Sequence, residues 1–383
     1  MAAGFKMKKI FDDPAIKFFV SIIGLVVIFV VLRELHHIFI PFVISYFLFF
    51  IFEPLNNLLT KKKIPSVLTI FVDLFIMILI IWGISRIVIE SFSRFADQIN
   101  VYEQKLNSIV SNTAISIGIE DPFFTEFSLI GIIDDLDYGG ILGSFFTSTL
   151  TIFSTTFFVL FFFIFISIGH KNLYEVVKER FVDRKIKGSL KKIKKQIKKH
   201  EVEITESTDT LEDLKINRGT QIEKTFKDIT SQVQRYIATK FLLSLLTGLL
   251  AGFILWLFGV DFFIVWGVFA FLLNFIPNIG SAIAVILPAV MTLVQYESLG
   301  YALLVTAILI VIQTIIGNGL EPKILGDRLG LNPLVILLSL LLWGYIWGIV
   351  GMFLSVPLTA VAKIIMSNSH SENLNFISDL MGN

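Results

Sequence analysis

Long apolar runs separated by short polar stretches dominate the chain. The runs lie at about Ala15 to Leu32, Ile38 to Phe52, Ile64 to Ile89 and Phe145 to Ile168. Five more follow at about Ile237 to Phe258, Phe262 to Phe275, Gly280 to Val294, Tyr301 to Ile316 and Pro333 to Ile365. A helix needs roughly 20 apolar residues to cross a hydrocarbon core about 30 Å thick, and several of these runs reach that length while others are short. The pattern predicts an all-α fold: a polytopic transmembrane helix bundle of about eight spans, with broken or re-entrant helices in the C-terminal half. Lys6, Lys8 and Lys9 precede the first run with no small-residue cleavage site after it, so it reads as an uncleaved anchor.

The polar stretches set the organisation. Residues 1–89 hold the first three spans. Phe95, Ile99, Tyr102, Leu106, Ile109 and Thr113 then alternate by three and four, predicting a helix that continues out of the membrane. The segment 90–144 has nine acidic and two basic residues, whereas residues 171–235 carry seventeen Lys and Arg. The positive-inside rule places the former outside the cytoplasm and 169–235 inside, with the fourth span at 145–168 between them. Leu190, Ile197, Ile204 and Leu211 recur every seven residues, predicting a helix–helix contact in the basic segment. Residues 236–366 form the C-terminal transmembrane core, and 367–383 a tail.

Composition agrees: 55% of residues are hydrophobic, 16% are charged, and mean hydropathy is +0.80. This is far from soluble-domain usage. No cysteine is present, which removes disulfides and thiolate metal sites. With no P-loop, HExxH pattern or serine elbow, neither an enzyme nor a bound cofactor is expected. The expected partners are a small hydrophilic solute or a monovalent cation or proton, membrane lipid, and further copies of the chain in a homo-oligomer. The net charge of +1 hides the local segregation of charge, and the lysine run reads as a solvated, orientation-setting loop, so nucleic acid is not an expected partner.

Candidate chemistry lies where the apolar pattern breaks. Asn274-Phe275-Ile276-Pro277-Asn278-Ile279-Gly280 cuts the run from Phe262 to Val294. Proline removes a backbone donor and glycine tolerates positive φ, so a turn at membrane depth is predicted. Lipid cannot satisfy the freed backbone groups, so the turn must be buried in protein or line a wet cavity. One broken span, two spans and a re-entrant hairpin all fit this pattern. A second break, Gly317 to Pro333, packs glycines and two prolines around Glu321, Pro322, Lys323, Asp327 and Arg328. Asn274, Pro277, Asn278, Gly280, Gln313, Asn318, Glu321, Pro322 and Lys323 are therefore candidate substrate or ion-path residues, with Asp327 and Arg328 as a structural pair.

A carboxylate within a span costs about 2.5–3.5 kcal/mol on insertion scales, so it faces a partner, a cavity or a pathway. Asp73 and Glu53 are added to the path on that ground. Pairing of Asp73 with Arg33 or Arg86, and capping of a helix end by Glu53 beside Lys61, are the structural alternatives. Gly248 with Gly252, and Gly344 with Gly348, have the small-xxx-small spacing of closely packed helices. Gly326, Gly330, Pro333, Gly351 and Pro357 complete the set of hinge and packing positions.

Tyr236 ahead of the fifth span, Asn274 to Gly280, Leu320 to Pro333, and Gly344, Gly348, Gly351, Val356 and Pro357 together resemble the autoinducer-2 exporter family of permeases. The resemblance in order and spacing runs from Tyr236 to Ile365; before that it is mainly one of hydropathy and loop layout. It implies about eight transmembrane helices, cytoplasmic termini, homo-oligomers and a bacterial-type cell membrane. It also implies either export of the signal autoinducer-2 or sodium(lithium)/proton antiport. Two features depart from it: roughly twenty extra residues around His200 to Gln221, and Glu53 where a neutral polar residue commonly precedes proline. The expected function is a secondary transporter driven by an ion gradient. A channel-like pore and a non-transporting membrane scaffold are the rivals.

Overall fold

The computed structural model describes residues 14–119, 121, 124, 151–169, 207–325, 330–367 and 372–382, with 207–230 described by backbone alone. The described elements are helical. They are α1 (Pro14–Glu34), α2 (His36–Lys61), α3 (Ser66–Ser116), α4 (Thr151–Gly169), α5 (Ser207–Leu257), α6 (Phe263–Leu273) and α7 (Ile279–Tyr296). After these come α8 (Leu299–Gln313), a π-helical turn (Thr314–Leu320), α9 (Glu321–Leu325), α10 (Pro333–Ser367) and α11 (Glu372–Leu380). Seven described helices are long and apolar enough to cross a membrane, and large apolar side chains such as Phe71, Phe75, Trp82, Phe153 and Leu341 stand exposed on their surfaces. Outward apolar faces and a helical backbone that satisfies its own hydrogen bonds are what a bilayer requires. The chain is a multi-pass membrane protein.

The basic run at 191–199, most of the acidic segment after Pro122, and Gly326, Asp327 and Arg328 lie outside the described residues. So does most of the seven-residue pattern between Leu190 and Ile204.

Helix α3 has 51 residues, about 75 Å at 1.5 Å per residue, more than twice the hydrocarbon thickness. Its far half uses the seam foreseen in the sequence: Phe95 stacks on Tyr102, and both pack against Phe262 at the start of α6. Tyr102 donates to Asp261 Oδ2 at 2.8 Å, and Lys105 donates to the Gln295 carbonyl and lies 3.9 Å from Glu297. The acidic-segment end of the bundle is thus pinned to the loops that begin α6 and end α7.

Helices α6 and α7 fold back on each other as a hairpin, so 262–294 is not one broken span. At its base, Gln295 donates to the Gly259 carbonyl at 2.9 Å and accepts from the Asp261 amide at 2.8 Å. The tip is Asn274 to Asn278, and Asn278 has φ +60°. Gly280 sits so close to the other arm that an added Cβ would lie 1.8 Å from the Leu273 carbonyl oxygen. Only glycine fits there. Gly248 and Gly252 of α5 meet Gly267 of α6, where a Cβ on Gly248 would come within 2.6 Å of the Gly267 carbonyl oxygen.

The last apolar run holds a second hairpin that its hydropathy did not announce. Trp347 (φ −126°, ψ 15°) and Gly348 (φ 62°, ψ −142°) leave the helical region and fold α10 back on itself. Trp343 Nε1 donates to Thr359 Oγ1 at 3.1 Å, and a Cβ on Gly351 would lie 1.9 Å from the Trp343 carbonyl oxygen. Lys363 Nζ reaches the Gly330 carbonyl. Along a straight helix those two residues would stand roughly 50 Å apart. The close approach expected of Gly344 and Gly348 therefore operates inside one hairpin, where Gly344 faces Met352.

The two hairpins enter from opposite ends. Phe275 at the tip of the first stacks on Phe353 in the return arm of the second, with centroids 4.2 Å apart. Such aromatic contact adds about 0.5–1.5 kcal/mol beyond area burial.

Candidate functional site

The tip of the first hairpin, the middle of α5, the π turn after α8 and the entry to α10 surround a cavity of about 1160 Å³. Its amide and hydroxyl groups come from Asn274, Asn278 and Ser281 on the hairpin, Thr306 and Gln313 on α8, and Thr314 and Asn318 on the π turn. Tyr236, Lys240 and Glu321 add the titratable groups, and Gly330, Asn332 and Gly382 form part of the rim. Between them are apolar patches from Ile276, Val285, Ile286, Ile310, Ile336 and Val356.

At the centre is an ion pair. Lys240 Nζ stands 2.6 Å from Glu321 Oε1, with the lysine side chain 7% exposed and the glutamate 23%. The chain brings them together because Thr314–Leu320 winds as a π-helix, whose wider turn shifts the register of α8 before α9 begins. Such turns are rare and recur at functional sites. Two charges taken from water cost several kcal/mol each, and the attraction between them compensates only while both are present. Below the pair, Asn274 Nδ2 donates to Ser244 Oγ at 3.0 Å, and both residues are buried. The hairpin tip is thus fixed to α5 through a polar contact at membrane depth.

Asn274, Pro277, Asn278, Gln313, Asn318, Glu321 and Pro322, scattered over 49 positions of sequence, all line this one cavity. Gly280 shapes the hairpin behind it, while Gly330 and Pro333 lie on the rim. Pro333 opens α10, where the Asn332 side chain accepts from the Leu334 amide at 2.9 Å. Pro357 is buried in the return arm.

Lys323 is exposed and does not line the cavity; the partner of Glu321 is Lys240. Glu53 and Asp73 are also away from it. Asp73 is fully buried between α2 and α3, where Asn56 Nδ2 donates to its Oδ2 at 2.7 Å. It pairs with neither arginine considered from sequence: Arg33 donates to the Tyr345 hydroxyl at 2.9 Å, and Arg86 lies over the Trp82 ring. Asp73 Oδ1 and Asn56 Oδ1 are buried without a hydrogen-bond partner among the described residues. Replacing Asp73 by alanine strands the Asn56 amide and is expected to cost about 1–3 kcal/mol. A lower melting temperature in detergent, with an unchanged KM for the transported solute, checks this placement.

Sequence reasoning missed Lys240, Ser244 and the role of Tyr236 in the cavity wall. The signal was available, because Lys240 is a lone lysine inside the apolar run Ile237 to Phe258. An ionisable residue at that depth marks a functional position by default.

Long lipid-facing helices around a polar cavity bounded by interrupted helices define a membrane transporter. The model of the AI-2E family of transporters matches residues 18–200 and 212–370, and the chain belongs to that family. The unmatched residues 201–211 fall inside the stretch read from sequence as an extension. A putative transport protein of Haemophilus influenzae is 29% identical over 368 residues, covering 91% of this chain and 92% of that protein. A putative transport protein of Borreliella burgdorferi is 29% identical over 335 residues, 86% of this chain and 81% of its own. The AI-2 transport protein TqsA of Escherichia coli K12 is 47% identical over 137 residues, 36% of this chain and 40% of that protein. The family and the apolar helices make this a multi-pass transporter of a bacterial inner membrane.

Proposed function

We propose that the chain is a secondary transporter that moves a small hydrophilic solute through the cavity around Lys240 and Glu321, driven by an ion gradient. The carrying observation is the convergence of two helix interruptions and one buried ion pair on a single polar cavity within an otherwise apolar bundle. Interrupted helices expose backbone and amide groups that can replace the hydration shell of a solute, as discontinuous transporter helices do. The Lys240–Glu321 pair balances its own charge, leaving the side-chain amides and hydroxyl of Asn278, Gln313, Thr314 and Asn318 for hydrogen bonding. Alternating access then exposes the cavity first to the basic-loop end, which we assign to the cytoplasm, and next to the acidic-segment end.

The name of the related TqsA makes autoinducer-2 the first solute to offer. In proteoliposomes with imposed pH and sodium gradients, we expect gradient-driven flux that is lost in Glu321→Gln and weakened in Asn278→Ala. Wild-type flux in both variants would remove the cavity from the path.

Sodium(lithium)/proton antiport is a second reading, supported by the buried Asp73 carboxylate, whose Oδ1 has no partner among the described residues. Under that reading, Asp73→Asn abolishes sodium- or lithium-driven proton movement. Retained exchange in this variant would discard Asp73 as the coupling group.

A further inference from the structure

Helix α11 turns a stripe of large apolar side chains away from the protein. Ser378 is 2% exposed and contacts the return arm of α10, its Oγ lying 3.3 Å from the Lys363 carbonyl. Phe376, Ile377 and Leu380 share the opposite stripe and are 62%, 44% and 63% exposed. Residues three and four apart stand on one face of a helix, so these side chains form an apolar ridge. Ser378 faces the protein, and the ridge faces away from it.

The same segment is tied to the rim of the polar cavity. Met381 accepts from the Asn332 amide at 2.8 Å, and Lys363 Nζ donates to the carbonyls of both Gly330 and Gly382. Gly382 lines the cavity, with φ +120°, and a Cβ there would lie 2.6 Å from the Gly330 carbonyl oxygen. Beside α11, the bases of both α10 arms expose Leu334, Leu338, Val361 and Ile365, part of the belt of apolar side chains around the bundle. The α11 ridge continues that belt at the point where the spans end.

We propose that α11 seats its Phe376–Ile377–Leu380 ridge in the interfacial layer of the bilayer, and that this seating holds residues 381–382 as a strap across the cavity rim at Gly330–Asn332. A short helix with one strongly apolar face lies in the plane of the interface, buried to the depth of the headgroup and acyl boundary. Glu372 and Asp379 give the helix no attraction to anionic headgroups. The ridge alone therefore drives the seating, and the occupant is lipid rather than a charged surface. Lys363 couples the two parts because one ammonium group holds both the rim and the strap. The seating does not depend on which solute the cavity carries.

The absence of native cysteine makes the test direct. Nitroxides are attached one at a time through Phe376→Cys, Ile377→Cys, Leu380→Cys and Asp379→Cys in the chain reconstituted in phosphatidylcholine–phosphatidylglycerol vesicles. At 376, 377 and 380, relaxation by oxygen with shielding from a water-soluble nickel chelate is expected, and the reverse at 379. Equal access of nickel to all four positions overturns the seating, because the helix is then solvated. Shielding of 376, 377 and 380 from both relaxants overturns it too, because a protein surface then covers the ridge. For the strap, labelling of Asn278→Cys by a water-soluble maleimide is compared with and without Lys363→Met, and again with Gly382→Ala. Severalfold faster labelling in either background, at an unchanged melting temperature, supports the strap, and unchanged labelling in both overturns it.

Discussion

Replacing Lys240 by methionine is expected to destabilise the protein by on the order of 3 kcal/mol and to abolish transport, because Glu321 then keeps a largely desolvated charge with its partner gone. Removing one member of a buried pair costs more than removing both, since the second removal eliminates the orphaned charge. The double substitution Lys240→Met with Glu321→Gln should therefore recover most of the lost melting temperature while leaving flux absent. That separation matters more than either single result. A pair serving only to hold α5 against α9 would let the double variant regain activity along with stability. A pair on the solute path would not. Thermal unfolding in detergent, run beside proteoliposome flux on the same preparations, reads both quantities.

The second large effect is expected at the hairpin turns. Gly280→Ala would place a methyl group 1.8 Å from the Leu273 carbonyl oxygen, and Gly351→Ala one 1.9 Å from that of Trp343. Both obstacles are backbone of the opposing arm, which no side-chain rotation relieves. Overpacking of an ordinary core costs about 1–3 kcal/mol, and these positions should reach or exceed the upper figure because the turn itself must open. We expect loss of folded protein from the membrane at 37 °C for either variant. Gly300→Ala is the control, since nothing lies within 4 Å of the added methyl and the site is the first turn of α8. Alanine there should be neutral or slightly stabilising, because glycine carries a helix penalty of about 0.5–1 kcal/mol relative to alanine. Yields of membrane-extracted, monodisperse protein distinguish the three.

These two cases also mark what was legible in the chain before its fold was known. The break from Asn274 to Gly280 was visible because proline and amides interrupt an apolar run, and hydrocarbon tolerates neither without protein around it. The direction of the chain after the break was not visible, since turning back and continuing onward have the same hydropathy. The second hairpin left a fainter trace. Gly344, Gly348 and Gly351 stood out as packing residues, yet Trp347 and Ile349 beside the turn are as apolar as the arms, so the fold-back has no polar signature. Only the positive φ of Gly348 and the close approach at Gly351 carry it.

The polar cavity was half legible. Asn278, Gln313, Asn318 and Glu321 were each picked out by type and context, but their convergence depends on the π turn at Thr314–Leu320 and on how α5 crosses the hairpin tip. Lys240 shows the limit from the other side. It is conspicuous by composition, but the basic residues just before it, Arg235 and the lysines upstream, make it look like the last of the loop charges. Its depth becomes apparent only once α5 is seen to run unbroken from Ser207 to Leu257. Asp73 was read as intramembrane and is fully buried, but its partner is the amide of Asn56 five residues beyond Ile51, a neutral group that charge-pair reasoning passes over.

The central claim is that solute passes the hairpin tip inside the cavity, and a single cysteine there tests it most directly. Flux of the transported solute into proteoliposomes carrying Asn278→Cys is measured before and after reaction with a water-soluble maleimide, with and without saturating solute during the reaction. The account predicts that modification abolishes flux and that solute slows the modification, because both occupy the space between Asn278, Gln313 and Asn318. Full modification with undiminished flux would contradict it.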